Sequence, residues 1–165
     1  MEVARRLNTN IFLDHRGSFS PLSLKTLHKE WLQSNISVNP KKHTLRGLHY
    51  QKGEFAQAKL IKVINGRILD FVYDMREHSN DGVVDFFEMN AGDEIIVPRG
   101  YAHGFITLED NTIVQYLVDN VYEPKSECSM VWNEFDSIKD KIKEIDSTFN
   151  VDNVIISDKD LINKF

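Results

Sequence analysis

The chain has 165 residues, of which 41% are hydrophobic and 27% are charged, and its formal net charge is -5. This length fits one domain, which we expect to span residues 1–165 and to bury a proper core without disulfide or metal staples. The negative charge argues against nucleic acid as a partner, because such affinity rests on neutralising many phosphates with Lys and Arg.

Cysteine content and hydropathy indicate the compartment. Cys128 is the single cysteine, so it cannot form an intramolecular disulfide, and no His/Cys cluster surrounds it with zinc ligands. Residues 1–17 contain no apolar region of signal-peptide length, and no run of about 18 apolar residues occurs in the sequence. We therefore expect a cytoplasmic protein that does not associate with a membrane.

The N-terminal part is predicted to begin with an extended segment, Asn10–Leu13, and a turn at residues 14–17. Apolar residues at near-helical spacing then predict a short helix over Leu22–Gln33, with Ser23 in position to cap it.

The middle of the chain has the pattern of β-structure. Segments rich in Val, Ile, Phe and Tyr recur about every ten residues between turn residues. Asn65-Gly66 is a strong signal for a two-residue hairpin turn with positive φ. Many short strands with regular turns predict an all-β sandwich or jelly-roll barrel that can enclose a ligand cavity. The predicted strands are Ile36–Val38, Leu45–Gln51, Lys59–Ile64, Arg67–Asp74, Val83–Met89, Glu94–Val97, Gly104–Leu108 and Thr112–Val118.

The C-terminal part changes character. Apolar residues at Ile138, Ile142 and Ile145, with charged residues between them, predict an amphipathic helix over Asp136–Ile145. The stretch Asn153–Asp160 looks irregular, and this tail either caps the barrel or trails free.

Two strand-like segments, 44–51 and 57–63, are joined by a short connection that contains Gly, which predicts a hairpin. Its polar side chains could together hold an anion, take a proton and stabilise a negative oxygen. These side chains are Arg46, His49, Gln51 and Lys59.

Arg46 and His49 are three residues apart, so in a regular strand they would point to opposite faces. They can share a cavity only if the backbone between them is irregular, and Gly47 permits a bulge there. The alternative is that these polar residues are scattered by chance, with an exposed Arg and a simply hydrogen-bonded His.

A metal site is weakly supported. The available ligands are His49 and His103 with Glu54 or Glu109, and Gln51 occupies the position that would complete an HxH pair. A catalytic zinc or iron site typically needs three protein ligands. We therefore expect no metal and no other cofactor.

Two further residues are candidates for a pocket. His103 follows a Pro/Gly turn and precedes an apolar strand, where it either bonds a backbone carbonyl or serves a site. Alternation places Val114, Tyr116 and Val118 on one face of their strand. Tyr116 taken alone could equally be a core aromatic residue with a satisfied hydroxyl.

Taken together, these stretches resemble a known family. The ordered motifs DHRGSF, QSN, TLRGLHYQ, QAKLIKV, PRGYAHGF, VQYLVDNVYEP, VWN and SDKD are similar to those of the dTDP-4-dehydrorhamnose 3,5-epimerases, cupin-fold enzymes of deoxysugar biosynthesis. The similarity runs from Asp14 to Asp160. It implies a cupin-type jelly-roll barrel with a few short peripheral helices. It also implies a metal-free, cofactor-independent homodimer that acts on a nucleotide-diphosphate 4-keto-6-deoxyhexose.

The resemblance also implies roles for single residues. His49 matches the family's general base, Asp160 its carboxylate partner, and Tyr116 the proton donor. Lys59 matches a residue of the sugar site, where an ammonium group can stabilise an enolate oxygen. A neutral imidazole held by a carboxylate is suited to removing a proton from a carbon next to a ketone.

The remaining matches concern binding. His103 lines the family's sugar site, and Tyr122 falls where an aromatic ring stacks on the base. We expect further contacts to the substrate or its diphosphate from Arg16, Gln33, Asn35, Arg46, Gln51, Glu127 and Lys159.

The sequence departs from the family pattern at two positions. Pro21 stands where an acidic residue is common, at the nucleotide end of the site, and Leu117 stands where a Lys often follows the donor Tyr. These departures keep a second hypothesis open, a nucleotide-sugar binding module without activity. A third is a ketoisomerase that moves the carbonyl between C3 and C4. Members of the family invert C3, C5 or both, and surface polysaccharide assembly in a bacterium is the expected setting.

Overall fold

Two facing antiparallel sheets of five strands each form the body of the computed structural model, which describes residues 2–15, 17–21, 30–76 and 82–165. Their strand orders are β1-β9-β6-β11-β4 and β12-β5-β10-β7-β8, and β2 and β3 form a separate hairpin. This arrangement is the all-β jelly-roll barrel that the sequence predicts. Strands β1 to β12 span Arg5–Arg6, Phe12–Asp14, Gly17–Phe19, Gln33–Asn39, Leu45–Gln51, Lys59–Asn65, Arg67–Asp74, Val84–Asn90, Glu94–Val97, Tyr101–Thr107, Thr112–Val118 and Glu127–Ser129.

Strand positions agree well with the sequence pattern. The predicted strand Gly104–Leu108 starts three residues earlier, at Tyr101, and the strands β1, β3 and β12 were not predicted. Four predicted strands have the bounds that the structure shows: Leu45–Gln51, Arg67–Asp74, Glu94–Val97 and Thr112–Val118.

Both predicted hairpins are wrong. Strands β5 and β6 belong to different sheets, as do β6 and β7, so neither pair is hydrogen-bonded along its length. The connections cross from one sheet to the other, because each strand pairs where it can bury its apolar face between the layers. At the second crossing a single residue, Gly66, has a φ of 80°, and a Cβ there would lie 2.3 Å from Oγ1 of Thr112.

The predicted helix Leu22–Gln33 is not confirmed. Residues 22–29, and with them Ser23, lie outside the described residues, and residues 30–32 have no regular structure. The predicted helix end at Gln33 is wrong, because Gln33 begins strand β4 and pairs there with Val118 of β11.

Apolar side chains fill part of the space between the two sheets. This inner core contains fully buried residues from both layers, including Ile61 and Ile95 of the first sheet and Val72 of the second. A second core lies on the outer face of the second sheet, where Phe71 packs in one cluster with Trp132. The second sheet is therefore buried on both faces, which explains the continuous apolar character of its central strands.

The C-terminal part covers that outer face. Helix α1 spans Asp136–Ile145 as predicted, and Ile138 and Ile142 are fully buried on its apolar side. Short 3-10 helices lie around the barrel at Gly53–Phe55, Trp132–Glu134, Val151–Asn153 and Asp158–Leu161.

The tail is fixed to the barrel and does not trail free. Ile155 pairs with Thr44 at one point, and Lys164 pairs with Ser129 of β12 at another. No helix among the residues with described structure has the length and apolar character needed to cross a bilayer.

Candidate active site

A cavity of about 610 Å³ lies between the two sheets. Thirteen residues were predicted to form the site, and twelve of them line this cavity, while Arg16 lies outside the described residues. The twelve are Gln33, Asn35, Arg46, His49, Gln51, Lys59, His103, Tyr116, Tyr122, Glu127, Lys159 and Asp160.

A β-bulge aims Arg46 and His49 into the same space. On the neighbouring strand β10, His103 pairs with His49 and Phe105 pairs with Arg46, so three residue steps on β5 face two on β10. Gly47 supplies the irregularity with a φ of 107°, and a Cβ there would lie 2.5 Å from the carbonyl oxygen of His103. The predicted bulge is thus confirmed, and only glycine fits it.

His49 forms a dyad with Asp160 from the C-terminal tail. Nε2 of His49 lies 2.6 Å from Oδ1 of Asp160, and the backbone N–H of Gly47 donates to Oδ2 at 3.4 Å. Burial tends to raise the pKa of Asp160, but the hydrogen bond and charge of His49 outweigh it and hold that pKa below its usual range. An ionised Asp160 accepts a hydrogen bond from the N–H at Nε2, so Nδ1 is the ring nitrogen that remains to act as a base.

Tyr116 approaches the cavity from the opposite sheet. It lies on β11 with Val114 and Val118, and all three line the cavity as the alternation predicted. Burial raises the pKa of the half-buried Tyr116 phenol above its ordinary value of 10.0. The phenol therefore keeps its proton at neutral pH and can donate it.

Lys59 places a cation beside the dyad. Its Nζ donates to the backbone carbonyl oxygen of His49 at 3.2 Å, across the gap between the sheets. Loss of hydration lowers the pKa of Lys59 to about 8, although the negative charges of Asp70 and Glu127 partly restore it. Lys59 therefore changes charge close to physiological pH.

Asp70 is a buried residue of the site that the sequence reasoning missed. It is fully buried, and its Oδ2 lies 2.7 Å from Nε2 of His103, which is itself only 8% exposed. Its other oxygen, Oδ1, has no hydrogen-bond partner in the described part of the chain. Burial raises the pKa of Asp70, while His103 and Lys59 oppose that shift. The signal was available, since Asp70 is the one charged residue inside the apolar run ILDFVY.

The mouth of the cavity carries exposed polar groups. Nε of Arg46 donates to Oδ1 of Asn39 at 2.9 Å. The hydroxyl of Tyr122 donates to Glu127 at 2.9 Å, and Nζ of Lys159 lies 4.0 Å from the same carboxyl group. Two cationic side chains thus border an opening that also presents an aromatic ring, a combination suited to a phosphorylated ligand with a planar base.

The two histidines of the cavity each hold a separate carboxylate, Asp160 for His49 and Asp70 for His103. Within residues 2–15, 17–21, 30–76 and 82–165, no three His, Cys, Asp or Glu side chains are grouped so that they could hold a metal ion.

The two departures from the family pattern lie away from this chemistry. Leu117 is on the outer face of the first sheet, where it packs with Leu60 and Ile96. Pro21 follows Ser20, whose backbone and hydroxyl oxygens accept hydrogen bonds from Lys62. Neither Leu117 nor Pro21 lines the cavity, so these departures leave the dyad and Tyr116 intact.

Comparisons with known proteins identify the family of this chain. Residues 3–165 match the family model described as dTDP-4-dehydrorhamnose 3,5-epimerase. The enzyme of that name from Methanothermobacter thermautotrophicus is 32% identical over 164 residues, covering 93% of this chain and 84% of the relative. That from Escherichia coli K12 is 33% identical over 137 residues, covering 78% and 74% respectively.

Solved structures show the same fold. The dTDP-4-dehydrorhamnose 3,5-epimerase of Bacillus anthracis, with TDP and PPi bound, has a TM-score of 0.83 and 34% identity, covering 98% of this chain and 93% of that one. A Legionella pneumophila epimerase in complex with dTDP-4-keto-L-rhamnose has a TM-score of 0.75 and 27% identity, covering 98% and 92%. The chain belongs to the dTDP-4-dehydrorhamnose 3,5-epimerase family.

Proposed function

We propose that this protein is an epimerase that inverts C3, C5 or both in a nucleotide-diphosphate 4-keto-6-deoxyhexose, without a metal or other cofactor. One observation carries the proposal: the dyad of His49 and Asp160 and the phenol of Tyr116 line one cavity from opposite sheets. A base and an acid on opposite walls are what inversion requires, because the proton must leave one face of a carbon and return to the other.

The first step is removal of a proton next to the ketone. His49 takes it on Nδ1, while Asp160 holds Nε2 and stabilises the imidazolium that forms. The electron pair of the C–H bond moves into the enolate, and negative charge develops on the C4 oxygen. Lys59 lies on the wall of the cavity opposite His49 and supplies a donor for that oxygen, and such a donor is most effective where water is excluded.

The second step returns a proton to the other face. Tyr116 donates its phenolic proton to the enolate carbon, which restores the ketone with inverted configuration. Burial keeps this phenol protonated until it is needed. The resulting phenolate and the imidazolium then exchange protons with solvent, which resets both groups.

The substrate class follows from the mouth of the cavity and from the relatives. Arg46 and Lys159 suit a diphosphate, and Tyr122 offers an exposed ring for a base. The Bacillus anthracis relative is described with TDP and PPi bound, and the Legionella pneumophila relative with dTDP-4-keto-L-rhamnose. A dTDP-activated sugar is therefore the substrate that we propose, in deoxysugar and surface polysaccharide synthesis in the cytoplasm.

A proton-exchange experiment tests the activity. The protein is incubated with dTDP-4-keto-6-deoxyglucose in D₂O, and the C3 and C5 protons are followed by NMR. We expect exchange with inversion for the wild type and no exchange for His49→Asn. Tyr116→Phe should exchange protons through His49 but lose inversion, whereas the matched control Tyr73→Phe, which packs outside the barrel against Phe135, should keep both.

Three results would contradict the proposal. Absence of exchange with this and related nucleotide sugars would indicate a binding module without activity. A carbonyl that moves from C4 to C3, visible by ¹³C NMR, would indicate a ketoisomerase. Full inversion by His49→Asn would remove the assigned base.

A homodimer is part of the same proposal. Strand β4 lies at the end of its sheet and presents Ile36 and Val38 outward, 65% and 59% exposed, while Phe12 and Phe19 of the β2–β3 hairpin are 57% and 66% exposed. Apolar residues grouped in this way mark contact surfaces, and a second copy of this chain is the partner that we propose. We expect Val38→Glu to yield monomers by light scattering, whereas Val83→Glu, at a comparably exposed valine (61%) that immediately precedes strand β8 of the other sheet, should leave the dimer intact.

A further inference from the structure

Gln51 was predicted to contact substrate, but its side chain is bonded to the protein's own backbone. Its Nε2 donates to the carbonyl oxygens of Phe55 at 2.8 Å and Val121 at 2.9 Å, and its Oε1 accepts from the backbone N–H of Glu123 at 2.7 Å. Both amide hydrogens are therefore used, and the residue is only 6% exposed. Gln51 has no donor left for a ligand.

The bonds of Gln51 bracket Tyr122. These hydrogen bonds attach the residue before Tyr122, Val121, and the residue after it, Glu123, to strand β5. Tyr122 itself is 55% exposed, and the one hydrogen bond shown for its side chain is that of the hydroxyl to Glu127. The backbone that Gln51 holds therefore fixes the position from which the ring extends at the mouth, and the hydroxyl contact with Glu127 holds the far end of the ring.

Two other amide side chains fix the same loop, and of these Asn120 also accepts a hydrogen bond from the backbone N–H of Val121 at 2.9 Å, on one side of Tyr122 only. Asn120 donates to the carbonyl oxygens of Glu54 at 2.8 Å and Ala56 at 3.2 Å, and Gln57 donates to the carbonyl oxygen of Asn120 at 2.9 Å. The rim of the cavity is thus built from side-chain amides bonded to backbone. Gln51 is the member that connects this rim to the strand that carries His49.

We propose that Gln51 is a positioning residue that sets affinity for the nucleoside diphosphate by holding the ring of Tyr122 ready to stack on the base. This inference rests on the proposed function, because it takes the nucleotide end of the substrate to lie at Tyr122. An aromatic ring that is oriented before binding costs the complex less ordering entropy than one that must be fixed on binding. Gln51 therefore acts on the nucleotide end and leaves proton transfer unchanged.

The test compares dTDP affinity in Gln51→Met, which keeps the side-chain length and removes all three hydrogen bonds. By calorimetry we expect dTDP to bind about tenfold more weakly, in the range of one ordered side chain. In turnover, KM should rise by a similar factor while kcat stays within about twofold. The matched control Gln115→Met, on the outer face of the first sheet where Gln115 bonds Ser34, should change neither quantity.

A double-mutant cycle separates positioning from a general loss of structure. In a Tyr122→Ala background we expect Gln51→Met to weaken dTDP binding less than twofold, because the ring that it positions is gone. If Gln51→Met unfolds the protein, Gln51→Glu serves instead, since its carboxylate keeps the acceptor for Glu123 but cannot donate to Phe55 or Val121. An undiminished effect in the Tyr122→Ala background, or a loss of kcat without a change in KM, would overturn the proposal.

Affinity for dTDP is measured without turnover, so this comparison supports or overturns the role of Gln51 even if the protein exchanges no sugar proton. Absence of exchange would overturn only the proposed epimerase activity. A wild type that does not bind dTDP would overturn the role of Gln51 at the nucleotide end.

Discussion

Lys59 donates a hydrogen bond to the backbone carbonyl oxygen of His49 at 3.2 Å, although the two residues lie on strands of opposite sheets. The ammonium of the proposed enolate stabiliser is thus held against the main chain of the proposed base. A carbonyl oxygen and the nearby carboxylates draw the ammonium into the cavity, where loss of hydration lowers its pKa to about 8. The pH dependence of the reaction should report this charge.

We expect kcat/KM to fall above pH 8, about tenfold per pH unit, because that parameter follows the ionisation of the free enzyme. The rate falls as pH rises because the charged form of Lys59 is the active one, and this form is lost above its pKa. Tyr116 does not contribute to the decrease near pH 8, because its pKa is raised above 10.0. Lys59→Arg keeps the positive charge and should lose this alkaline limb, while Lys59→Met should reduce kcat by about 10²–10³-fold. Lys143→Met, at an exposed position on α1, is the control. If Lys59→Arg kept the same decrease of kcat/KM above pH 8, the decrease would belong to another ionisable group.

The lowered pKa of Lys59 should also decrease the free energy of unfolding at neutral pH. The pKa of Lys59 has its ordinary value of 10.5 in the unfolded chain and is about 8 in the folded protein. Between these two pH values the unfolded chain binds more protons, so the free energy of unfolding rises with pH. The side chain borders the cavity and is only partly buried, so water screens part of the penalty, which we place at about 1 kcal/mol. In urea unfolding we expect Lys59→Met to be more stable than the wild type at pH 7 and the difference to shrink by pH 9.5. A difference independent of pH would contradict this account.

Local pattern was enough to predict much of the fold. The bounds of Thr112–Val118 and of helix Asp136–Ile145 were confirmed, because alternation and helical spacing are properties of a single segment. The pairing of strands was not predictable in this way. Asn65-Gly66 has the composition of a hairpin turn, yet it connects strands of opposite sheets, since partners are chosen by which faces can be buried together across the whole domain.

The candidate site shows the same division. The bulge at Gly47 could be inferred from the three-residue spacing of Arg46 and His49, and the structure confirms it. The apolar neighbours of Asp70 signalled its burial, but its contact with His103 and the tethering of Gln51 could not be inferred from spacing, because both depend on contacts between distant segments. The roles of the residues around the cavity stay predictions, and the next two experiments address the residues that sequence reasoning left out.

Asp70 should tune the charge of Lys59 through the cavity. Its negative charge favours the protonated form of Lys59, so Asp70→Asn should lower the pKa of Lys59 further and move the alkaline limb of kcat/KM below pH 8. Asp70→Asn also weakens the hydrogen bond to His103. We expect kcat to fall by at most about 10²–10³-fold, which is the cost of losing a whole oxyanion donor.

The control for this variant lies on the same strand. Asp74 pairs with Arg76 and does not line the cavity, so Asp74→Asn should alter thermal stability while the limb stays at its wild-type pH. A limb that moves to higher pH in Asp70→Asn, or moves equally in both variants, would show that Asp70 does not act through Lys59.

Asn163 should matter for catalysis because it fastens the tail that carries Asp160. Its Oδ1 accepts from the backbone N–H of Val131 at 2.7 Å, and its Nδ2 donates to Glu134 at 2.9 Å. The next residue, Lys164, exchanges two backbone hydrogen bonds with Ser129, which itself lies beside His49 on the neighbouring strand. The carboxylate of Asp160 is thus held from its C-terminal side by contacts with β12 and the segment that follows it.

We expect Asn163→Leu, which keeps the size but not the hydrogen bonds, to lower kcat about tenfold, since small misplacement of a catalytic group is costly. KM should change little, because the mouth of the cavity is formed elsewhere. Hydrogen exchange measured by NMR should accelerate at the amides of Asp160 and Lys164 and remain slow in the central strands. Asn153→Leu, at an exposed position in another short helix of the tail, is the matched control. Faster exchange throughout the barrel would mean that Asn163 supports the whole fold rather than the placement of Asp160.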